Sequence, residues 1–328
     1  MAYHLGFTGD VMLGRLVGER QRRRSADAIW GDVLMALRDL DGLFVNLECC
    51  ISRRGDPWTR TYRPFHFRAH PEWAVTGLGE AGVDYCSLAN NHILDFGETA
   101  LNDTVDQLKS AGIRHAGAGS LPDARKPVSV SVGDLEFAVF SATDNTPEYA
   151  ASKDKPGAFY DDMDLDDGTR EVFREVLDAA EELNPDLTVA SLHWGPNMVE
   201  EPSRKHERFG RWLVDQGVDL VHGHSAHVFQ AVEMYGDGLI MYDCGEFVDD
   251  YKVDPELRND RSFLFKLKVT EGGDLQELSL TPVEIDKFTV NQADSQAKEW
   301  SFERMCGLSR KYGTEFERKD GELQLELT

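Results

Sequence analysis

The sequence lacks any apolar run that could cross a membrane. No stretch approaches the roughly 18 consecutive apolar residues that a transmembrane helix needs, so we expect no membrane span. Residues 1–6 lead directly into a strand-like pattern and leave no room for a signal peptide, which predicts a cytoplasmic protein. No Cys-x-x-Cys pair is present, which argues against a zinc ribbon or a disulfide scaffold, so we expect reduced thiols at Cys49, Cys50, Cys86, Cys244 and Cys306.

Lysine is scarce, and acidic residues outnumber basic ones. The 328 residues include 12 Lys and 23 Arg against 33 Asp and 26 Glu, which gives a formal net charge of −24. A balance this negative disfavours nucleic acid as a partner. Many carboxylates with few lysines are typical of surfaces that stay hydrated in concentrated salt, so we expect a halophilic source; an ordinary acidic cytosolic protein is the alternative. No glycine-rich fingerprint follows the first predicted strand, which excludes a P-loop or dinucleotide-binding protein.

What the chain does contain is an alternation of strand-like and helix-like runs. The pattern predicts strands over residues 3–8, 42–47, 84–89, 128–132, 135–141, 187–192, 218–221, 229–234, 239–242, 263–269 and 275–285. It predicts helices over residues 26–40, 71–81, 98–111, 166–183, 206–216 and 295–311. No linker divides the chain, so we expect one α/β unit with a mixed, layered sheet. Residues 1–285 would form the main domain, and residues 286–328 a C-terminal helix and polar tail packed on it.

Polar residues follow five of the predicted strands. In open α/β sheets ligands bind beyond the carboxyl ends of the strands, so we expect these residues at one rim. They are Asp10, Glu48, the Ala-Asn-Asn-His segment 89–92, His193 and the His-Gly-His-Ser-Ala-His segment 222–227. Bridging carboxylates, neutral imidazoles and an amide oxygen together are what a pair of divalent cations needs. Each residue alone has an ordinary explanation, such as a turn cap or a core histidine, but the three histidines within 222–227 favour a metal site.

The same segments carry a family resemblance. Gly-Asp-Val-Met-Leu-Gly-Arg at 9–15, Asn-Leu-Glu at 46–48, Leu-Ala-Asn-Asn-His-Ile-Leu-Asp-Phe-Gly at 88–97, His-Trp-Gly at 193–195 and Gly-His-Ser-Ala-His-Val at 223–228 occur in this order. This pattern resembles the CapA family of capsule-synthesis proteins, associated with poly-γ-glutamate biosynthesis, over about residues 3–250. That family is similar to calcineurin-like metallophosphoesterases. The resemblance implies a metallophosphatase-like, four-layer α/β/β/α sandwich around two divalent metal ions. The mixture of nitrogen and oxygen ligands suits Mn, Fe or Zn.

The resemblance also implies roles for single residues. Asp10 and His227 would bind the first ion, and Glu48 would bridge the two ions. The second ion would be bound by Asn91, His193 and His224, with His222 as a weaker candidate. His92 would be catalytic, donating a hydrogen bond or a proton to the substrate.

Three positions depart from the family pattern. Metallophosphoesterases usually have a histidine two residues after the first aspartate, where this chain has Met12. The family tends to have Tyr-Ser-Leu-Gly-Asn-Phe where residues 242–247 read Tyr-Asp-Cys-Gly-Glu-Phe, so Glu246 adds a carboxylate near the expected site, as a further ligand or as a substrate contact. Ser225-Ala226 replaces His-Pro. We expect Asn90 and Glu246 to contact the substrate.

Two segments are locally basic in this acidic chain. Residues 15–24 contain five arginines and one acid, and so do residues 51–70, which gives each a net charge of +4. Arginine suits carboxylates and phosphates, so Arg15, Arg53 and Arg54 are predicted to bind an anionic small molecule or polymer. The alternative is that these arginines pair with acids of the same chain.

The expected function is that of a metal-dependent hydrolase. Water activated between two ions would attack a phosphate ester or a γ-glutamyl bond. The alternative is a non-catalytic, metal-stabilised accessory protein that binds a polyanion in capsule or polymer synthesis. The sequence carries no signal for the oligomeric state.

Overall fold

A computed structural model describes residues 2–327. Two β-sheets pack face to face, and helices cover the outer face of each sheet, so the chain forms the four-layer α/β/β/α sandwich that the resemblance implies. Phe44 of one sheet and Phe137 of the other meet between the sheets with ring centroids 5.8 Å apart. The apolar layer between the sheets is the main core.

The first sheet contains ten strands within residues 2–327. Its main path runs in the order Glu317–Lys319, Glu322–Glu326, Leu275–Asp286, Arg261–Thr270, Ala2–Val11, Gly42–Leu47, Tyr85–Ser87 and Arg114–Ala116. The last four of these strands are parallel to one another, and the first five pair antiparallel. Two further strands join the path: Glu246–Val248 lies parallel to Ala2–Val11, and Thr289–Gln292 lies antiparallel to Leu275–Asp286.

In the described part of the chain the second sheet has six strands, in the order Val232–Tyr235, Gly238–Met241, Leu220–His224, Leu187–His193, Leu135–Thr143 and Val128–Val132. The four inner strands are parallel, and an antiparallel strand closes each edge. Parallel strands covered on both faces are apolar along their whole length. Two short pairs lie outside both sheets: Cys50–Ile51 with Arg68–Ala69, and Ala118–Gly119 with Gly157–Ala158.

The α-helices cover Arg15–Gln21, Leu34–Arg38, Pro71–Glu80, Gly97–Ser110, Leu121–Arg125, Asp167–Glu181, Arg204–Asp215 and Ser295–Ser309. Short 3₁₀ helices cover Ala26–Val33, Pro147–Tyr149 and Arg310–Tyr312. Several helices start where a side chain caps them: Asp166 accepts from the Thr169 N–H, and Asp294 accepts from the Gln296 and Ala297 N–H groups.

The prediction of one continuous helix over residues 26–40 is wrong. The chain forms the 3₁₀ helix Ala26–Val33 and then the short α-helix Leu34–Arg38, with a kink at Gly31. Gly31 has a φ of +46°, and a Cβ there would lie 2.3 Å from the Val290 carbonyl oxygen. Only glycine suits such a turn against a neighbouring strand.

The C-terminal segment is more ordered than the predicted polar tail. Glu317–Lys319 and Glu322–Glu326 form a hairpin that adds two strands to the first sheet. Its turn residues Asp320 and Gly321 both have positive φ, which suits a tight hairpin. Leu323 and Leu325 are buried against the core, so this end of the chain packs on the sandwich. The division between residues 285 and 286 stays a prediction.

Candidate metal centre

The two sheets place their polar strand ends opposite each other. In the first sheet, Asp10 pairs in register with Asn46 on one side and with Glu246 on the other. In the second sheet, His193 and His224 are register partners and the last residues of their strands. All five residues are buried. Carboxylates from one sheet and imidazoles from the other therefore face a common interior space.

A β-bulge directs Asp10 into this space. Phe7 pairs with Phe44 and Asp10 pairs with Asn46, so the first strand carries one extra residue between the two pairs. Phe7 lies in the core between the sheets, while Val11 lies in the cluster under the outer helices. The bulge thus reverses the alternation of side chains and turns Asp10 towards the second sheet.

Close backbone contact explains why glycine precedes Asp10. The Asp10 N–H donates to the Gly245 carbonyl at 2.9 Å. A Cβ on Gly9 would lie 1.7 Å from the same carbonyl oxygen. Any other residue at position 9 would push the strand that carries Glu246 away from Asp10.

The ligand-type side chains form two groups that share Asp10. One group is Asp10, His193 and His224, and the other is Asp10, Glu48, His227 and Glu246. Within each group the candidate ligand atoms lie within 4.8 Å of one another. Glu48 Oε1 also lies 3.9 Å from His193 Nε2, between the two groups. The bridging role of Glu48 stays a prediction, and Asp10 is a second candidate for it.

Several donor atoms in these groups have no hydrogen-bond partner among residues 2–327. They include both carboxylate oxygens of Glu48 and of Glu246, Asp10 Oδ2 and His193 Nε2. Asn91 Oδ1, which lies outside the two groups in the wall of a cavity, has no partner either. Burying an ionised carboxylate without a partner costs several kcal/mol or more. A divalent cation offsets that cost because it takes the same oxygen and nitrogen donors as ligands. The donor set therefore fits a divalent metal centre.

The acid groups of the centre carry opposed pKa shifts. Burial and the Asp10 charge raise the pKa of Glu48 well above its usual range. Burial and the carboxylates of Asp249 and Asp10 do the same to the pKa of Glu246. Burial also opposes ionisation of Asp10, but His227 and His193 outweigh it, and the pKa of Asp10 is lowered. Without a cation, it is thus energetically unfavourable for all the carboxyl groups of the centre to be ionised at once.

The histidines of the centre divide into two kinds. Burial lowers the pKa of His193 to about 4 and the pKa of His224 well below its usual range, so both rings are neutral at neutral pH. Neutral imidazole is the form that binds a metal. Burial disfavours the charge on His227 too, but Glu48 and Asp10 outweigh it and raise its pKa to about 9. The charged His227 ring contacts Glu246 and lies 3.3 Å from Asp10 Oδ2.

His92 lies beside the centre, and Asp95 and Phe67 fix the position of its ring. Its Nε2 lies 3.8 Å from Glu48 Oε1, and its Nδ1 lies 2.5 Å from Asp95 Oδ2. The ring stacks on Phe67 with centroids 3.8 Å apart. Burial lowers the pKa of His92, and the Asp95 carboxylate opposes that shift. The Nε2 end is therefore the free end of this ring.

The two asparagines before His92 have different surroundings. Asn90 is fully buried; its amide nitrogen donates to Asn46 Oδ1 and to the Leu47 carbonyl, and its oxygen accepts from the His92 N–H. These bonds shape the loop, and they do not support the predicted contact of Asn90 with a substrate. Asn91 instead lines a cavity next to His92.

His222 and Met12 are engaged elsewhere. His222 Nε2 lies 2.7 Å from the Thr8 carbonyl oxygen, and its Nδ1 lies 3.1 Å from Ser191 Oγ, so the ring links the two sheets. Met12 is buried in the apolar cluster under the outer helices, and its sulfur accepts from the Gly14 N–H. Neither residue belongs to the two ligand groups.

A cavity of about 500 Å³ opens beside the centre. Asn91, His92 and His227 line it, and so do the cationic side chains of Arg63 and Lys252. The remaining wall is largely apolar and includes Pro64, Phe65, Met198, Tyr251, Val253 and Pro255. This volume is in the range of small-molecule sites in proteins.

The arginines predicted to bind substrate lie outside the lining of this cavity. Arg15 pairs with Asp250 at 3.3 Å, and Arg53 and Arg54 pair with Glu72 and Asp103. Each of the three pairs with an acid of the same chain, and their contact with a substrate stays a prediction.

Arg63 does reach the cavity from the basic segment 51–70. Its guanidinium lies over the Tyr149 ring at 4.9 Å and donates to Thr146 Oγ1 at 2.9 Å and to the Asn91 carbonyl. The basic segment was a signal for such a residue, but nothing in the sequence distinguishes Arg63 from its neighbours. Asp95 was missed as well, although it lies in the segment 88–97, because its spacing from His92 does not reveal the contact.

The four-layer sandwich is a metallophosphatase-like fold. A solved structure described as a novel phosphatase from Mycoplasma pneumoniae matches with a TM-score of 0.51, covering 93% of this chain and 99% of that one at 12% identity, which is a likeness of fold. The chain belongs to the family of bacterial capsule synthesis proteins PGA_cap, whose model matches residues 4–251.

Curated relatives agree with this family. A probable polyglutamine synthesis accessory protein of Mycobacterium tuberculosis is 34% identical over 298 residues, which is 87% of this chain and 77% of the relative. The capsule biosynthesis protein CapA of Bacillus anthracis is 28% identical over 324 residues, which is 97% of this chain and 76% of the relative. In residues 2–327 we find no helix with the length and apolar character needed to span a membrane.

Proposed function

We propose that this protein is a metal-dependent hydrolase that acts on a phosphate ester or a γ-glutamyl bond. The observation that carries the proposal is that one cavity is lined both by His92 and by His227, which belongs to the buried carboxylate–histidine groups. One ion would be held by Asp10, Glu48 and His227, and the other by Asn91, His193 and His224, with Asp10 or Glu48 between them. A bound divalent ion of this kind, Mn, Fe or Zn, polarises the electrophilic centre and makes water a nucleophile near neutral pH.

His92 would serve the leaving group. Its Nδ1 faces the Asp95 carboxylate, so a proton on Nδ1 stays there and Nε2 is free to exchange a proton with a group in the cavity. Asp95 stabilises the charged ring and keeps its orientation, as a carboxylate behind a catalytic histidine does. When the His92 ring takes up a second proton, that proton would lie at Nε2, from which it would pass to the departing oxygen or nitrogen.

Arg63 and Lys252 would orient an anionic substrate. Arg63 is held in place by its contact with the Tyr149 ring and its hydrogen bond to Thr146. Its guanidinium therefore loses little conformational entropy when it binds an anion. Lys252 lies on the exposed side of the cavity and has no ion-pair partner among the described residues. The two cations outnumber the one acid of the cavity lining, Asp254, in a chain with a net charge of −24, and this favours an anionic ligand at this place.

The test combines metal analysis with a substrate panel. Purified protein, stripped with a chelator and reloaded with Mn²⁺, Fe²⁺ or Zn²⁺, is assayed on an aryl phosphate, an aryl phosphodiester and a γ-glutamyl anilide. We expect turnover of one class that disappears with the chelator and returns with metal. His92→Ala should lower kcat by about 10²–10⁴-fold and leave the metal content unchanged. Full activity in metal-free protein would contradict the proposal.

An accessory role is the second candidate. It is favoured by the relative from M. tuberculosis, which is described as a polyglutamine synthesis accessory protein. In that case metal-loaded protein would bind poly-γ-glutamate and hydrolyse none of the panel.

A cytoplasmic location and a halophilic source stay predictions.

A further inference from the structure

We infer that Glu246 is a ligand of the ion held by Asp10, Glu48 and His227. The added carboxylate makes this site rich in oxygen ligands. It should therefore shift the affinity of the site towards Mn²⁺ and away from Zn²⁺, compared with the same site lacking Glu246. The inference rests on the proposed function to the extent that both require divalent cations. It concerns the position where this chain departs from the family pattern and has a glutamate instead of an asparagine.

The position of Glu246 in the sheet supports the assignment. Its strand, Glu246–Val248, runs parallel to Ala2–Val11, and Glu246 is the register partner of Asp10. Register partners on neighbouring strands point to the same face, so the two carboxylates lie side by side. Glu246 is completely buried and its side chain contacts His227.

The carboxylate oxygens of Glu246 can accept more hydrogen bonds than the protein provides. Neither of its oxygens has a hydrogen-bond partner among residues 2–327 beyond the ion-pair contact with His227. If its role were only to hold the His227 ring, a neutral amide oxygen would do so without placing another charge beside Asp10. A second buried carboxylate at this place is explained by a cation that both carboxylates share.

Position 12 cannot supply the missing ligand. Met12 packs among Val11, Leu13 and the residues under the outer helices, away from the space between the sheets. The first ion would therefore be left with Asp10, Glu48 and His227 alone. Glu246 completes a group of three carboxylates and one imidazole.

This composition has a consequence for the choice of metal. Carboxylate ligands suit Mn²⁺, whereas imidazole suits Zn²⁺, Cu²⁺ and Fe. The other group has one carboxylate and two imidazoles, with Asn91 nearby in the cavity wall. The two sites should therefore differ, and the site with Glu246 should have the smaller preference for Zn²⁺ over Mn²⁺.

The experiment measures metal binding directly. Chelator-treated wild type, Glu246→Gln and Glu246→Asn are titrated with Mn²⁺ and with Zn²⁺ by calorimetry, and bound Mn²⁺ is counted by electron paramagnetic resonance. Glu233→Gln is the control, because Glu233 is a buried glutamate that pairs with Arg211 outside the two ligand groups. Thermal melts in chelator check folding, and Glu246→Gln should melt no lower than wild type, because the amide removes a buried carboxylate that lies beside the acids Asp10 and Asp249.

We expect Glu246→Gln and Glu246→Asn to weaken Mn²⁺ binding at one of two sites at least tenfold, with a smaller loss for Zn²⁺, and Glu233→Gln to bind both ions as wild type does. Unchanged Mn²⁺ affinity in both Glu246 variants would overturn the assignment. An equal loss for the two metals would overturn the selectivity. If the wild type binds neither ion, the proposed function itself fails; if the wild type binds and hydrolyses but the variants bind equally well, only this inference fails.

Discussion

The Nδ1 atom of His92 lies 2.5 Å from Oδ2 of Asp95. The same carboxylate accepts hydrogen bonds from the Phe67 N–H at 2.7 Å and from the Tyr149 hydroxyl at 2.9 Å. Asp95 is fully buried, and these two hydrogen bonds fix the carboxylate that in turn fixes His92. His92 thus has a defined tautomer and a defined direction before any substrate is present.

Replacing Asp95 by asparagine should slow turnover without removing metal. The amide cannot stabilise a charged His92 ring, so we expect kcat to fall by about 10–100-fold while KM and metal content change little. The pH dependence of kcat should shift as well, because the Asp95 carboxylate raises the pKa of His92 against the effect of burial. Tyr149→Phe is the milder comparison, since it removes one hydrogen bond to Asp95 and keeps the charge. An Asp95→Asn variant with the wild-type pH profile would contradict the positioning role.

His193→Ala should lose metal and activity together. His193 lies in one ligand group and its Nε2 approaches Glu48 of the other, so its removal opens the centre on the side of the second sheet. We expect a loss of at least one bound ion and of about 100-fold or more in activity, since even residues behind a metal ligand cost that much when replaced. Elemental analysis and the aryl phosphate assay measure the two effects. His115→Ala serves as the control, because His115 lies in the strand Arg114–Ala116 and belongs to neither ligand group; a variant with full metal content and no activity would reject a ligand role for His193.

Arg63→Ala should raise KM for an anionic substrate. A hydrogen bond to a charged group contributes about 1.5–3 kcal/mol, so we expect KM to rise by about tenfold or more and kcat to change less. Arg54→Ala is the matched control, because the Arg54 guanidinium pairs with Asp103 and does not line the cavity. Steady-state kinetics of both variants decide the matter. The reverse result, with Arg54 affecting KM and Arg63 not, would return the anion site to the arginines predicted from sequence.

The stability of metal-free protein should fall as the pH rises from about 6.5 to 8. Burial raises the pKa of Asp243 and of Asp249 to about 8, and the nearby carboxylates contribute to the shift. A carboxyl whose pKa is raised by folding stabilises the fold below its unfolded pKa of about 4, and this contribution is lost as the pH rises towards the folded value. His227, with a pKa raised to about 9, changes stability in the same direction. Each such group gives a slope on the order of 1 kcal/mol per pH unit.

Thermal melts in chelator and in Mn²⁺ test this dependence. Metal binds the deprotonated ligands, so the gain from Mn²⁺ should grow with pH over the same interval. Asp249→Asn should reduce the slope in chelator, because Asp249 Oδ2 has no hydrogen-bond partner in the described chain and an amide replaces it without a charge. A metal-free melting temperature that rises steadily over this interval would contradict the assignment.

The strand ends could be predicted from the sequence because they depend on short-range pattern. Apolar runs followed by Asp10, His193 and His224 placed these residues at one rim, and the structure brings them together. Their directions could not be predicted, since the aim of Asp10 depends on a one-residue bulge relative to Gly42–Leu47. A periodic pattern alone does not reveal where an extra residue enters a strand.

Side-chain partners were harder to predict than backbone positions. The net charge of the segment 51–70 correctly indicated a cation near the site, but it could not separate Arg63 from Arg54. That choice depends on residues distant in sequence. Asp103 forms an ion pair with Arg54, while Tyr149 and Thr146 contact Arg63 and orient it towards the cavity. The C-terminal hairpin was missed for a similar reason, because its strands are short and polar and find their partner in Leu275–Asp286.

The bulged strand and its neighbours supply carboxylates, and the opposite sheet supplies imidazoles. An ion coordinated by both sets would tie the two layers of the sandwich to each other at the rim, where the apolar filling ends. Loading with metal would then stabilise the whole domain, and the atoms proposed to bind the ions would also determine how firmly the two sheets are held together at this rim.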